Sequence, residues 1–254
     1  MPLKNNYLSI KKIPTKHGFF TRLDGLSKKK FKSLNCSISN GDNKEIVFKN
    51  RLIAMKKLDL DKKKLILINQ THSSKVVQIN KNNLSKIIKA DGALTSLNNI
   101  VLGILTADCA PIFIYDDKNK FVCSLHSGWR GTLNNISANA LKLFNKNNIK
   151  NNNLIAIIGP CLGSRSYEVD KKFEKKFIHK DVRYSKFFKY KNNDKSFFNL
   201  RGIINYQLEE LGVKKIFNVK RDTYANKGLF FSHRRSYHGG ERTTGRLINL
   251  ISLT

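Results

Sequence analysis

The sequence predicts an α/β fold of the α+β type: one domain of mixed β-sheets flanked by helices. Three observations predict it. Short β-like apolar runs alternate with stretches of helical periodicity along all 254 residues. Two of those runs are joined by a tight polar turn, which makes an antiparallel hairpin. No GxGxxG follows a strand and no Walker loop occurs, which speaks against a doubly wound nucleotide fold. The length and a 40% hydrophobic content suffice for a substantial core. There is no internal repeat and no long Gly/Ser or Pro-rich linker, so residues 1–254 read as a single domain.

The elements follow in chain order. Phe48, Leu52 and Met55 recur at helical spacing, which predicts a helix over roughly Lys44 to Leu58. Leu65 to Asn69 and Lys75 to Ile79 are β-like runs around a polar turn that carries His72. Ile100 to Thr106 is apolar and β-branched, as a buried strand requires. Pro111 to Tyr115 and Phe121 to Leu125 flank Asp116-Asp117-Lys118-Asn119 and predict the hairpin. Leu133, Ile136, Ala140, Leu143 and Phe144 form one helical face. Leu154 to Ile158 is a second buried strand. Ile204, Leu208 and Leu211 mark a further helix, stopped by Gly212. Ile216 to Val219 is a late strand.

The net charge is +30, from 48 Lys+Arg against 18 Asp+Glu. The excess is mostly Lys, scattered among Asn along the whole chain. It forms no Lys/Arg block, and no RNA-binding aromatic motif accompanies it, so no specific nucleic-acid partner is expected. No apolar stretch reaches the ~20 residues that span a bilayer, and Met1 to Asn6 lacks the pattern of a signal peptide. A cytoplasmic protein that binds no membrane is expected. The four cysteines form no CxxC pair, so Cys36, Cys109, Cys123 and Cys161 are each read singly as core thiol, ligand or nucleophile.

The hairpin points to chemistry. A two-residue turn at Asp117-Lys118 pairs Asp116 with Asn119 and, carried along the strands, sets Cys109 opposite His126. Opposed side chains have Cβ atoms ~5 Å apart, which suits two ligands of one zinc ion. His72, at the end of another β-run, is the natural third. Two imidazoles and a thiolate leave a fourth tetrahedral position for water or substrate. Asp108, beside Cys109, is a candidate for orienting a ligand or moving a proton, or for accepting backbone N–H bonds. After His126, Ser127-Gly128-Trp129-Arg130-Gly131 leads into a helix, where free N–H groups and Arg130 offer an anion site. Arg22 and Arg234 suit phosphate for the same reason, whereas Arg246 reads as surface charge.

The segments HGFFTR (17–22), SLN (33–35), NQTHSSKVV (69–77), ADGALT (90–95), TADCAPIFIYD (106–116), LHSGWRGT (125–132), IGPCLGSRSYEV (158–169) and FFSHRR (230–235) with GR (245–246) run in one order over nearly the whole chain. With them the chain resembles the multicopper-oxidase-like laccase-domain family. Bacterial members of that family are described as purine nucleoside phosphorylases or as a peptidoglycan editing factor. The resemblance implies mixed sheets covered by helices, with an architecture like that of cytotoxic-necrotizing-factor-type hydrolases. It implies a zinc site at His72, Cys109 and His126, with copper the less expected metal. It implies phosphorolysis of adenosine, inosine, guanosine and methylthioadenosine, with adenosine deamination as a side activity. Arg22, Asn35, Gln70, Arg130 and Arg234, all from shared segments, form the expected substrate- and phosphate-binding set. A monomer acting on purine nucleosides and phosphate is expected. Where the family commonly carries Cys-Thr-Tyr, this chain has Asp222-Thr223-Tyr224.

Two rival readings stay open from the residues. Cys109 could act as a nucleophile in hydrolysing cell-wall precursors, or the +30 charge could serve nucleic-acid binding. Oxidation of phenols at several coppers fits poorly with six histidines in all. The HxE and PCxxC motifs of the familiar zinc deaminases are absent from the sequence.

Overall fold

The computed structural model describes residues 6–11, 13–118 and 120–254. Two expectations therefore fall partly outside the described residues: the N-terminal reading on Met1 to Asn5 and the turn position Asn119.

The elements run β1 (Tyr7–Leu8), β2 (Lys16–Phe20), α1 (Lys44–Lys56), β3 (Lys64–Leu67), β4 (Val76–Ile79), β5 (Gly92–Thr95), β6 (Ile100–Thr106), β7 (Ala110–Asp116), β8 (Val122–Ser127), α2 (Trp129–Leu133), α3 (Ile136–Lys146) and β9 (Leu154–Ile158). They continue with β10 (Glu168–Asp170), α4 (Lys171–Lys180), β11 (Phe188–Asn192), β12 (Lys195–Phe198), α5 (Leu200–Glu210), β13 (Lys215–Asn218), α6 (His233–His238) and β14 (Leu247–Ser252). Among the described residues three sheets form, in the orders β1-β2-β14-β6-β3, β13-β9-β7-β8-β5-β4 and β10-β12-β11. The two large sheets are mixed: β3 with β6, β4 with β5 and β13 with β9 are parallel, and the other neighbours are antiparallel.

Side-chain alternation stacks the layers. Ile100, Leu102 and Ile104 of β6 meet Phe113 and Tyr115 of β7 between the two large sheets. The intervening Val101 points the other way, onto Ala54 and Met55 of α1. Ile112 and Ile114 of β7 face Ile136, Ala140 and Phe144 of α3 and Ile203 and Leu208 of α5. The period of two thus gives a helix–sheet–sheet–helix sandwich in which β6 and β7 each serve two cores. The small third sheet and α4 join the α3–α5 side through Phe198 and Phe177. Among the described residues no helix is long and apolar enough to cross a membrane.

Two expectations are corrected. The helix after Gly128 is broken at Asn134-Asn135, because Asn135 turns left-handed (φ 48°) and its side chain caps Ala138 N–H. α2 is therefore a single short turn of five residues. The hairpin register also differs. Tyr115 pairs with Val122 and Pro111 with His126, because Asp116 Oδ1 accepts from Lys120 N–H and Phe121 N–H and so widens the loop. The shift is two places, so Cys109 keeps its face but stands level with Gly128 rather than His126.

Candidate metal centre and its cavity

Cys109 sits where the chain leaves β6 in one large sheet and enters β7 in the other. The crossing is three residues long and passes through Asp108 in a left-handed conformation (φ 89°), which a non-glycine residue adopts only when its surroundings impose it. They do. The Asp108 carboxylate accepts from Thr223 Oγ1 (2.6 Å), Ser232 Oγ (2.9 Å) and Arg234 N–H (2.7 Å). Of the roles open to Asp108, the hydrogen-bond acceptor is the one the geometry displays.

His126 is the penultimate residue of β8 and is buried, while His72 occupies the loop before β4, also left-handed (φ 58°). The ligand atoms of His72, Cys109 and His126 all lie within 4.8 Å of one another. The two imidazole rings meet edge to face at 4.8 Å. Gly128 makes room for them: a Cβ there would lie 2.8 Å from Cys109 Sγ, inside contact distance. The three residues named from the sequence thus converge on one point, with a donor set of two imidazoles and a thiolate that fits a transition metal such as zinc.

Charge supports the fit. Burial raises the Cys109 thiol, but the facing His126 and His72 overcome it and pull it down to about 6. Burial lowers His126, and the thiolate together with Asp91 overcomes that and pushes it up to about 9. Around neutrality the metal-free pair is a thiolate beside an imidazolium, the state from which a metal displaces the imidazolium proton.

Asp91 escaped the sequence reading. It is fully buried. Its carboxylate accepts His126 Nδ1–H (2.8 Å), His72 N–H (3.0 Å), Ser73 N–H (2.6 Å), Ser73 Oγ (2.7 Å), Thr71 N–H (3.1 Å) and Thr71 Oγ1 (3.2 Å). These donors hold the carboxyl well below the usual range, although burial works against them. The only signal in the sequence was an acidic residue inside an apolar β-run, Ala90-Asp91-Gly92-Ala93-Leu94.

The cluster opens on a cavity of about 370 Å³ lined by His72, Asp108, Cys109, Trp129, Arg130, Tyr167, His233 and Arg234 among others. Of the five expected binding residues, Arg130 and Arg234 line this cavity. Arg234 Nη1 donates to Glu168 O, and its guanidinium lies over Tyr167. The other three expected binding residues do not line this cavity. Gln70 forms a rung with β6, its amide donating to Leu105 O and accepting from Leu105 N–H at 2.8 Å each. Buried Asn35 ties Ser37, Asn40, Asp42 and Arg246 N–H together. Arg22 donates to Lys32 O and stacks on Phe231 at 4.5 Å.

Arg246, read as surface charge, is instead partly buried, and Cys109 and Asp108 act on it electrostatically. His233 faces the cavity, and its ring has no hydrogen-bond partner among the described residues; burial and the neighbouring Arg246, Arg234 and His72 depress its pKa, with Asp108 acting against them. Asp222 lies outside the cavity lining, pairs with Cys161 in a β-bridge and accepts Ser166 Oγ, so it fastens the loop after β9.

Residues 16–254 match the family described as multi-copper polyphenol oxidoreductase laccase, and the chain belongs to it. A relative from Rickettsia prowazekii named purine nucleoside phosphorylase is 38% identical over 175 residues, 68% of this chain and 72% of its own. The Escherichia coli protein named purine nucleoside phosphorylase YfiH is 29% identical over 233 residues, covering 92% of this chain and 91% of its own. Among solved structures, YfiH of Bacillus licheniformis superposes with a TM-score of 0.87 at 26% identity, over 99% of this chain and 100% of that one. YlmD of Geobacillus stearothermophilus gives 0.89 at 24% identity, over 100% of this chain and 98% of that one, a likeness of fold.

Proposed function

We propose that this member of the multi-copper polyphenol oxidoreductase laccase family is a zinc-dependent purine nucleoside phosphorylase acting on adenosine, inosine, guanosine and methylthioadenosine, with adenosine deamination as a side activity. The observation that carries the reading is the His72–Cys109–His126 cluster on the wall of a cavity that also presents Arg130 and Arg234. Relatives that carry the name purine nucleoside phosphorylase support the reaction class.

Zinc suits two imidazoles and one thiolate with an open fourth position. A set of several coppers is disfavoured: beyond the cluster His233 lines the cavity, but His17 is bonded to Ile10 N–H and Thr15 O, and neither His179 nor His238 lines it. Held by His72, Cys109 and His126, zinc would supply Lewis-acid polarisation and, for deamination, activation of water.

The chain's own residues do the rest. Arg130 and Arg234 hold phosphate on the cavity wall through charge-assisted donors. Trp129 and Tyr167 flank the space for the nucleoside. The glycosidic bond breaks through a cation-like sugar that the held phosphate attacks, so positioning and charge stabilisation carry the catalysis. His233, whose ring has no hydrogen-bond partner among the described residues, hydrogen-bonds the departing base. Asp108 keeps Cys109 and Arg234 in register by bonding the segment that bears Arg234.

The test is product analysis: purified protein with adenosine yields adenine and ribose 1-phosphate only when phosphate is added. Full activity in Cys109→Ala would overturn the metal-centred reading.

One observation favours a second reading. A thiol drawn down to about 6 beside an imidazolium is also the state of a cysteine nucleophile. In that case Cys109 attacks an acyl carbon of a cell-wall precursor. Release of amine from muramyl-peptide substrates, with a trappable thioester and no dependence on phosphate, would mark it.

A further inference from the structure

The buried carboxylate behind the cluster has more to do than balance charge. Its six bonds fall into two sets. One oxygen, Oδ1, accepts His126 Nδ1–H and His72 N–H, so a single atom touches both histidine residues of the cluster. The other, Oδ2, accepts the N–H and hydroxyl groups of Thr71 and Ser73, which closes the loop around the left-handed His72. The Asp91 carbonyl also accepts His126 N–H at 2.7 Å. His126 is therefore gripped at its backbone and at Nδ1 by one residue, which leaves Nε2 for the Cys109 side. A carboxylate is needed for this. Every group facing the two oxygens is a donor, and an amide in their place would turn an NH₂ toward N–H groups.

From this arrangement we infer that Asp91 is the positioning residue of the metal centre: it fixes the His126 tautomer and orientation and the His72 backbone, so that both rings are aligned before an ion arrives. The inference rests on the proposed metal reading. Nothing in it requires Asp91 to touch substrate, and it acts through the two histidines. Ligating histidines held in this way by an outer carboxylate lose ~10–100-fold in metal affinity when that partner is removed.

The experiment is a zinc competition titration of the metal-free full-length chain, wild type against Asp91→Asn, with proton NMR of the same samples. The wild type should bind one zinc per chain and show a far-downfield ring N–H resonance that disappears in His126→Gln. Asp91→Asn should bind ~10–100-fold more weakly and lose that resonance. Zinc affinity within twofold of wild type, or the resonance unchanged, overturns the inference. If Asp91→Asn does not fold, Ser73→Ala removes one bond to Oδ2, together with the Lys75 N–H bond to Ser73 Oγ, and leaves the His126 contact. It should weaken zinc a few-fold while keeping the resonance, and an unchanged affinity there counts against the role. A wild type that binds no zinc but shows the Asp91-dependent resonance overturns the metal reading and leaves the positioning of His126 standing. A wild type without the resonance overturns the role of Asp91.

Discussion

Two buried carboxylates serve the surroundings of Cys109, and they are used differently. Asp91 gathers donors that lie next to the candidate metal ligands or belong to them: residues 71–73 and His126. Asp108 gathers donors from the far end of the chain: Thr223, Ser232 and Arg234. Each faces or occupies a left-handed turn, at His72 (φ 58°) and at Asp108 itself (φ 89°). One side is local and sets the geometry of the ligands. The other is long-range and fastens the segment bearing His233 and Arg234 to the strand crossing. The centre thus divides into a ligand-setting half and a cavity-wall half that meet at Cys109, and mutations can pull the halves apart.

The largest effect should come from the residue the two halves share. Cys109→Ala removes the thiolate ligand, and we expect phosphorolysis to fall by about two to three orders of magnitude with loss of stoichiometric zinc. Steady-state rates with adenosine and phosphate, together with metal analysis of the purified variant, check this. Retained zinc with lost activity would instead point to the thiolate as nucleophile.

The comparison itself is tested by Asp108→Asn. Asn cannot accept at both oxygens, so at least one buried donor among Thr223, Ser232 and Arg234 is left unpaired, at a cost of about 2–3 kcal/mol. Urea unfolding should register that loss, while zinc affinity stays within a few-fold of wild type. If Asp108→Asn weakens zinc as much as Asp91→Asn, the division into two halves is wrong.

Next in size is a pH effect on the ligand-setting half alone. In the metal-free chain the Cys109 thiol titrates at about 6, below its ordinary value of 9.0. Its alkylation rate should therefore rise with pH through about 6, level off by pH 7, and fall steeply in acid as the thiolate is protonated. Replacing His126 with Gln removes the facing imidazolium, so the midpoint should move up and the rate at pH 7 should drop roughly tenfold. A midpoint that stays put in His126→Gln would show that His126 is not what lowers the thiol. Rates of iodoacetamide labelling at Cys109, followed by peptide mass spectrometry, separate it from the buried Cys36, Cys123 and Cys161.

The two halves also differ in how much of them could be read from the sequence. Ile100–Thr106 and Leu154–Ile158 form strands with the predicted bounds, because continuous β-branched apolar runs leave little choice. β11 and β12 went unseen because Lys189, Lys191 and Lys195 mask the pattern on a strand pair covered on one face only. The three metal-ligand candidates were legible, although the hairpin register that paired two of them was off by two places. A shift by an even number keeps the face, and so the pairing failed while the convergence held. Asp91 was not legible, since a lone carboxylate in an apolar run gives no sign of which distant N–H groups will close on it. Asp108 was legible as a candidate with an acceptor role among those open to it, but its partners were not, since they lie more than a hundred residues away.

The smallest expected effect concerns two arginines that look alike in the sequence. Arg22 and Arg130 each follow or neighbour an aromatic residue in a shared segment, and each was read as a phosphate ligand. Arg130 lies in the cavity wall, with its guanidinium 5.1 Å from the Trp129 ring centre. Arg22 lies outside that lining: Nε and Nη2 both donate to Lys32 O, and the Phe231 ring is beneath it at 4.5 Å. Arg22 spends both Nε and Nη2 on one backbone carbonyl, whereas Arg234 spends only Nη1 on Glu168 O and has more of its fork left for an anion. Arg130→Gln should therefore raise the KM for phosphate about tenfold with little change in the KM for adenosine. Arg22→Gln should change either KM by less than about twofold, and its cost should appear as roughly 1 kcal/mol of stability from the lost stacking and hydrogen bonds. A phosphate KM that moves equally in both variants would place Arg22 within reach of the anion and extend the cavity wall toward β2.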